Sequence, residues 1–189
     1  MPNWDLFYKT RDVTVAEPVA VLKNNIHLLH AQTTSLKALD FACGFAANGR
    51  FLASLGYQVS GWDYSAQVVK KLNAFSQQQG LSFQAYQHDL ENEKLPAELF
   101  DVIVVSHFLN RKLSVDISNL LKPGGLLFYQ TFSGERKNEQ GPSNPNFRLK
   151  TGELLSLFAD LQTLYYREDN HHVSNENSLN DQAMLVAVK

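Results

Sequence analysis

Three carboxylates stand at the ends of short apolar runs: Asp40 in Leu36 to Ala42, Asp63 after Tyr57 to Trp62, and Asp89 after Ser82 to Gln87. A carboxylate offers about four acceptor sites and no donor, so each can take hydrogen bonds from ligand hydroxyl or amino groups. The first run continues as Leu39-Asp40-Phe41-Ala42-Cys43-Gly44-Phe45-Ala46-Ala47-Asn48-Gly49, a loop of small residues that lets a ligand approach the backbone closely. It is not a P-loop, because no Gly-Lys-Ser/Thr follows, and it fits G-x-G-x-x-G only with alanine at Ala42 and Ala47. A tight turn that packs a helix on a strand is the other reading of the loop. Asp63 lies 19 residues beyond Gly44, the separation at which a carboxylate accepts both hydroxyls of a ribose. It would serve equally as a helix-start charge beside Ser65. In Gln87-His88-Asp89-Leu90 the acid is placed to accept from an adenine amino group.

The elements that must hold these residues alternate. A helix is expected from Glu17-Pro18 to about Leu29, then a strand over 36–42, a helix bearing Phe51, Leu52 and Leu55, and a strand over 57–62. Ser65 N-caps a helix with the stripe Val68, Val69, Leu72 and Phe75, stopped by Gly80. A strand over 82–87 follows. The β-branched run Phe100 to Val105 reads as a central parallel strand buried on both faces. A helix through Leu113, Ile117, Leu120 and Leu121 leads to Lys122-Pro123-Gly124-Gly125 and a strand over 126–132. Thr151 caps a last helix bearing Leu154, Leu155 and Phe158, and strands over 161–167 and 184–188 are joined by a polar loop without a helix, so they pair antiparallel. The expected fold is α/β: a Rossmann-like, doubly wound, seven-stranded sheet, mostly parallel, with a C-terminal antiparallel hairpin and helices on both faces. Residues 1–189 form one domain, with 1–30 as an N-terminal cap segment and 133–150, rich in Gly, Pro and Asn, as a candidate lid loop.

Composition narrows the partners. The 189 residues carry a formal charge of -2, 44% hydrophobic and 19% charged residues and no basic cluster, which argues for a globular small-molecule binder over a nucleic-acid or membrane-surface protein. One cysteine, Cys43, forms no internal disulfide, no apolar run reaches about 20 residues, and the start lacks an apolar signal core; a reducing, cytoplasmic location is expected.

Taken jointly, LDFACGFAANGRFLASLGYQVSGWDYS, QHDL, FDVIVVSHF and LKPGGLLFYQTF resemble the motifs of class I S-adenosylmethionine-dependent methyltransferases across nearly the whole chain. More narrowly, the Trp4-Asp5 start, Asn48 and GPSNPNFRLKTGELLSLF look like small bacterial methyltransferases of the tellurite-resistance type. The resemblance implies S-adenosylmethionine as cofactor and S-adenosylhomocysteine as product. It implies that Asp40 and the loop Ala42 to Ala46, with Ala42, Cys43, Gly44 and Ala46 as contacts, hold the methionine part, that Asp63 holds the ribose diol, that Asp89 with the Leu90 backbone holds the adenine, and that Asn48, Tyr64 and Ser106 are further cofactor-binding residues. The family usually has glycine where this chain has Ala42 and Ala46. The tellurite-type group often carries His-Arg after strand four, where this chain reads Phe108-Leu109-Asn110-Arg111. The Asn-Pro-Pro-aromatic motif of many amino methyltransferases is absent.

A sulfonium methyl is already activated, so the protein must mainly align the attacking lone pair. His107, at the end of strand four, has an ordinary pKa near 6.5 that suits proton transfer; it reads as a base or as a hydrogen-bonded wall. Arg111 reads as an anionic-substrate contact or a solvated helix-start residue, and Arg148 in the loop is similarly open. Cys43 reads as a small buried residue, since no base is argued beside it. His171-His172 lacks the rest of a metal-ligand set, and no metal is expected. Trp4, Phe7 and Tyr8 read as a substrate cover or a satellite aromatic cluster. The functional expectation is methyl transfer to a small molecule; the competing readings are a non-catalytic adenosyl-ligand module and a nicotinamide-dependent oxidoreductase. Oligomeric state is open.

Overall fold

In a computed structural model of the chain, residues 4–13, 17–29, 36–136, 141–169, 179 and 181–189 are described. His171 and His172 lie outside them. Seven strands, β1 (Lys37–Phe41), β2 (Gln58–Asp63), β3 (Phe83–Gln87), β4 (Phe100–Ser106), β5 (Leu121–Phe132), β6 (Gln162–Glu168) and β7 (Gln182–Val188), form one sheet in the order β3-β2-β1-β4-β5-β7-β6. Strands β1 to β5 pair parallel; β7 runs antiparallel to both β5 and β6. The chain order reverses between β1 and β4, which opens the crevice where doubly wound sheets bind ligands.

Burial on both faces explains the β-branched strands. In β4, Val102 and Val104 meet Ala38, Leu52, Val68 and Leu72 on one face, whereas Ile103 and Val105 join Leu39, Phe41, Ile117 and Tyr129 on the other. The helices are α1 (Trp4–Lys9), α2 (Ala20–Asn24), α3 (Ala47–Ser54), α4 (Ala66–Gln79), α5 (Ser114–Asn119) and α6 (Glu153–Leu157). As expected, Ser65 caps α4, accepting from the Val68 N–H, and Gly80 ends it in the left-handed region at φ +64°. Gly49 is needed for close approach of α3 to the sheet: a Cβ there would lie 2.6 Å from the Phe83 ring.

Three local expectations differ from the structure. The helix expected to reach Leu29 stops at Asn24, because the Asn25 amide turns back to the Val21 carbonyl at 2.9 Å; a 3-10 turn, Ile26–Leu28, follows. Strand β5 begins at Leu121, since Leu121 pairs with Phe100 before a bulge restores the register at Leu126 opposite Val102. Helix α6 is preceded by Gly152 at φ +70°, not capped by Thr151; the Gly152 N–H donates to Glu168 Oε2 at 2.8 Å.

Candidate active site

The carboxyl ends of β1, β2, β3 and β4 open onto a cavity of about 620 Å³, a size suited to a small-molecule ligand. Nine of the residues expected at the site line it: Ala42, Cys43, Gly44, Asp63, Tyr64, Asp89, Leu90, Ser106 and His107. The remaining wall is Trp4, Asp5, Tyr8, Glu91 and Phe108. Four of these lining side chains are carboxylates and none is lysine or arginine.

The loop after β1 is folded on itself. Ala42, Gly44 and Ala46 all have positive φ, at 56°, 51° and 52°. Alanine in that region costs about 1–2 kcal/mol relative to the right-handed one, so the two alanines at usual glycine positions keep the glycine-type conformation under strain. Cys43 N donates to Trp62 O at 2.9 Å, Gly44 N to Asp63 Oδ2 at 2.8 Å, and Ala46 N to Cys43 O at 2.7 Å. These donors therefore brace the loop. Asp63 also accepts from Ser65 N at 2.9 Å, and burial raises its pKa against those two N–H groups. Burial raises the Cys43 thiol well above its ordinary value, with Asp40 and Asp63 adding to the effect, so it stays a neutral wall residue.

Four expected site residues stand behind the wall. Asp40 is fully buried: Oδ2 accepts from Gly49 N at 2.8 Å and Oδ1 has no hydrogen-bonding partner among the described residues. Burial pushes its carboxyl up to about 7, opposed by the Gly49 N–H and by the Asn48 side chain. Ala46 is buried at the start of α3. The Asn48 amide joins two walls, accepting from Val19 N at 2.9 Å and donating to Ser106 Oγ at 3.0 Å. Arg111, expected to meet substrate, is instead taken up by protein: Nε and Nη2 reach both Glu153 carboxylate oxygens at 2.6 and 2.9 Å, and Nη1 and Nη2 donate to the Asn146 and Arg148 carbonyls at 2.6 and 2.9 Å. A bidentate pair with two carbonyls fills most of a guanidinium's donors.

Asp89 sits at the end of β3 with Oδ1 accepting from Glu91 N and Asn92 N, both at 3.2 Å, which fixes the turn holding Leu90 and Glu91 at the wall. His107 has φ +53°, its N–H donates to Gln130 O at 2.9 Å, and its ring packs 5.2 Å from Phe132. Crowding by protein lowers its pKa, opposed by a hydrogen bond with the Gln182 side chain.

Of the aromatic trio, Trp4 and Tyr8 line the cavity, while Phe7 packs on both of them under the Arg11 guanidinium. Burial raises the Tyr8 hydroxyl above its ordinary value, with Asp63 adding to the effect. Helix α1 is fastened to α4 at both ends: Asp5 Oδ1 accepts from Ser65 Oγ, and Lys71 Nζ donates to the Tyr8 and Lys9 carbonyls at 2.9 and 3.1 Å. Sequence reasoning gave no role to Asp5 or Glu91. An acid one turn from Tyr8 was the available signal for Asp5.

The described residues of 133–150 do not line this cavity. Leu149 N donates to Phe132 O and Gly134 N to Leu149 O, and Arg148 is buried against Asp181 while donating to the Ser133 and Gly134 carbonyls.

This sheet order, with β7 reversed and the acids at successive strand ends, is the class I methyltransferase architecture that the motifs implied. Residues 38–125 match the family described as methyltransferase domain. The chain is 27% identical over 149 residues to the probable S-adenosyl-L-methionine-dependent methyltransferase TehB of Haemophilus influenzae, covering 75% of this chain and 52% of that protein. It is 31% identical over 112 residues to a ubiquinone biosynthesis O-methyltransferase of Maricaulis maris, covering 54% and 42%. The chain thus spans about half the length of the curated relatives it matches. The crystal structure of TehB from Haemophilus influenzae superposes with a TM-score of 0.70 at 23% identity, covering 98% of this chain and 66% of that one. The chain has a Rossmann-like fold shared with solved methyltransferases, matches the methyltransferase domain family over residues 38–125 and resembles TehB. Among the described residues, no helix is long and apolar enough to cross a membrane and no cluster of His, Cys, Asp and Glu could hold a metal ion.

Proposed function

We propose that this protein is a cytoplasmic enzyme that transfers a methyl group from S-adenosylmethionine to a small-molecule acceptor. The observation that carries the reading is the cavity at the β1/β4 reversal, walled by Asp5, Asp63, Asp89 and Glu91 without a lysine or arginine. Such a wall favours a cationic ligand. S-adenosylmethionine bears a sulfonium and an ammonium. A nicotinamide dinucleotide bears an anionic pyrophosphate, and the loop N–H groups of Cys43, Gly44 and Ala46 that would meet it are already bonded within the protein.

The residues present fit the cofactor. Asp63 keeps acceptor lone pairs beyond the two N–H groups it receives and is positioned for a ribose diol; Asp89 and Leu90 form the adenine side; the Ala42 to Gly44 turn and Tyr8 form the methionine side. Bound there, the cofactor supplies a methyl group on a sulfonium leaving group. The protein's part is to hold the acceptor in line and exclude water, with Trp4, Tyr8, His107 and Phe108 as walls. The cavity's modest volume suits a small acceptor.

Titration calorimetry tests this directly. Binding of S-adenosylmethionine or S-adenosylhomocysteine with micromolar-order affinity, followed by turnover of members of a small-molecule acceptor panel, is expected. Binding of neither ligand would overturn the proposal; binding without turnover of any acceptor would favour the non-catalytic adenosyl-ligand module.

A further inference from the structure

Two buried amides meet the start of α2. The first N–H groups of a helix have no carbonyl partner within it, and here Val19 N donates to Asn48 Oδ1 at 2.9 Å and Val21 N to Gln130 Oε1 at 2.8 Å. A backbone N–H can only donate, so the Asn48 atom it meets is the oxygen and the other amide atom is the NH2. That NH2 lies 3.0 Å from Ser106 Oγ. The polarity of the row is therefore fixed from end to end: the Val19 N–H bonds the Asn48 oxygen, and the Asn48 NH2 bonds the Ser106 oxygen. Asn48 is 3% exposed, so bulk water does not compete for its amide.

Ser106 lines the cavity, and its oxygen is occupied on the protein side. The hydroxyl hydrogen is repelled by the Asn48 NH2 and has no acceptor among the described residues, so it turns to the open side. Strand register sets the level at which it does so. Ser106 follows Val105, which pairs with Phe41, and so stands level with Ala42 on the methionine side; it also pairs with Gln130, which Val21 holds. The amino-acid end of the cofactor carries a carboxylate as well as an ammonium. The described lining contains four carboxylates and no lysine or arginine, so a ligand carboxylate there has to be met by uncharged donors. Of the lining hydroxyls of Tyr8, Tyr64 and Ser106, Ser106 is the one whose oxygen already accepts from a protein donor, which leaves it to act on a ligand through its hydrogen.

We propose that Ser106 binds the carboxylate of the cofactor's amino-acid end through its hydroxyl hydrogen, and that Asn48 is the positioning residue that turns this hydrogen into the cavity. The inference rests on the methyltransferase reading and deepens it by naming the group that recognises that end of the cofactor. It also accounts for an asparagine in the first turn of α3, where a carboxylate would suit the helix N-terminus. An aspartate at that position would take the Ser106 hydrogen for itself and aim the hydroxyl lone pairs at the ligand carboxylate.

The test is titration calorimetry on the full chain with two ligands that differ by one group, S-adenosylhomocysteine and its decarboxylated analogue. Ser106→Ala weakens S-adenosylhomocysteine by about 10- to 100-fold, the range for a hydrogen bond to a charged group, and leaves the affinity for the decarboxylated analogue unchanged. Ser106→Thr, which keeps a hydroxyl, recovers most of the loss. Asn48→Ala weakens S-adenosylhomocysteine by less, because the released hydroxyl points into the cavity part of the time, and it has no further effect once Ser106 is replaced: the double variant binds as Ser106→Ala does. Unchanged S-adenosylhomocysteine affinity in Ser106→Ala, equal losses for the two ligands, or Asn48 and Ser106 losses that multiply overturn the proposal. Thermal unfolding followed by circular dichroism checks the fold of each variant, and Ser106→Ala, which removes one hydroxyl at a half-buried position, decides the carboxylate contact without Asn48→Ala. Wild-type protein that binds neither ligand removes the methyltransferase reading itself, whereas wild-type binding with no ligand discrimination in Ser106→Ala removes the Ser106 assignment alone.

Discussion

Asp181→Ala should be among the most destabilising single changes in this protein. Asp181 and Arg148 are each 4% exposed, and the guanidinium Nη2 bonds the Asp181 carboxylate in the interior. Removing the carboxylate leaves a buried guanidinium that cannot shed its proton, and cutting one partner from a buried pair typically costs about 3–5 kcal/mol. Two further effects are smaller, the first adding to the loss and the second reducing it. Asp181 has φ +63°, which alanine tolerates less well than aspartate, so the substitution gains nothing from the backbone. Arg148 keeps its bonds to the Gly134 and Ser133 carbonyls at 2.8 and 3.1 Å, which hold part of its charge satisfied and point to the lower half of that range. With a urea slope of about 2 kcal/mol per molar, a loss near 3–4 kcal/mol lowers the unfolding midpoint by about 1.5–2 M. Equilibrium urea unfolding followed by far-UV circular dichroism and tryptophan fluorescence reads it. A midpoint shift corresponding to less than about 1 kcal/mol would refute the argument, by showing that water or another group replaces the carboxylate at no net cost.

Asp63→Ala should weaken S-adenosylmethionine binding by about 1–3 kcal/mol, roughly 5- to 150-fold, the cost of unpaired ligand hydroxyls; unchanged affinity by calorimetry removes the ribose assignment. Asp40 titrates near 7 when folded against an ordinary value near 4, so the folded state holds the extra proton between those limits and stability falls as pH rises through the window. The buried Asp63, also raised, has the same sign. The Asp40 contribution is on the order of 4 kcal/mol, and Asp40→Asn should flatten the urea midpoint between pH 4 and pH 7; an equally steep profile in the variant would show that other groups cause it. Ala42→Gly relieves the left-handed strain of about 1–2 kcal/mol while giving back about 0.4–1 kcal/mol of unfolded-chain entropy, so a gain of about 0.5–1 kcal/mol is expected by thermal unfolding, and a loss would mean that the methyl contact matters more than the backbone.

What the sequence made legible follows from what is local. Strand ends, the small-residue loop and Ser65 as a cap are written in types and spacings of neighbouring residues, and the antiparallel close of the sheet follows from a loop with no room for a crossover helix. Arg111 shows where that legibility stops. Its position after β4 matched an anion contact, yet its partners Glu153 and the carbonyls of Asn146 and Arg148 are 35 to 42 residues away, and only the folded chain brings them together. In 133–150, read from composition as a candidate lid, a long-range contact is likewise invisible to local spacing: the buried Arg148–Asp181 pair ties the end of that segment to the start of β7. Trp4, Asp5 and Tyr8 of α1 line the cavity. A six-residue helix is too short to persist in water alone, so its place over the pocket depends on Asp5 at Ser65, Lys71 on its last carbonyls, and the Tyr8 ring against Phe45. These contacts fix Trp4, Asp5 and Tyr8 in the cavity wall beside Asp63 and Tyr64, so the acidic lining is assembled from the chain's first helix and from the ends of β2 and β3 together.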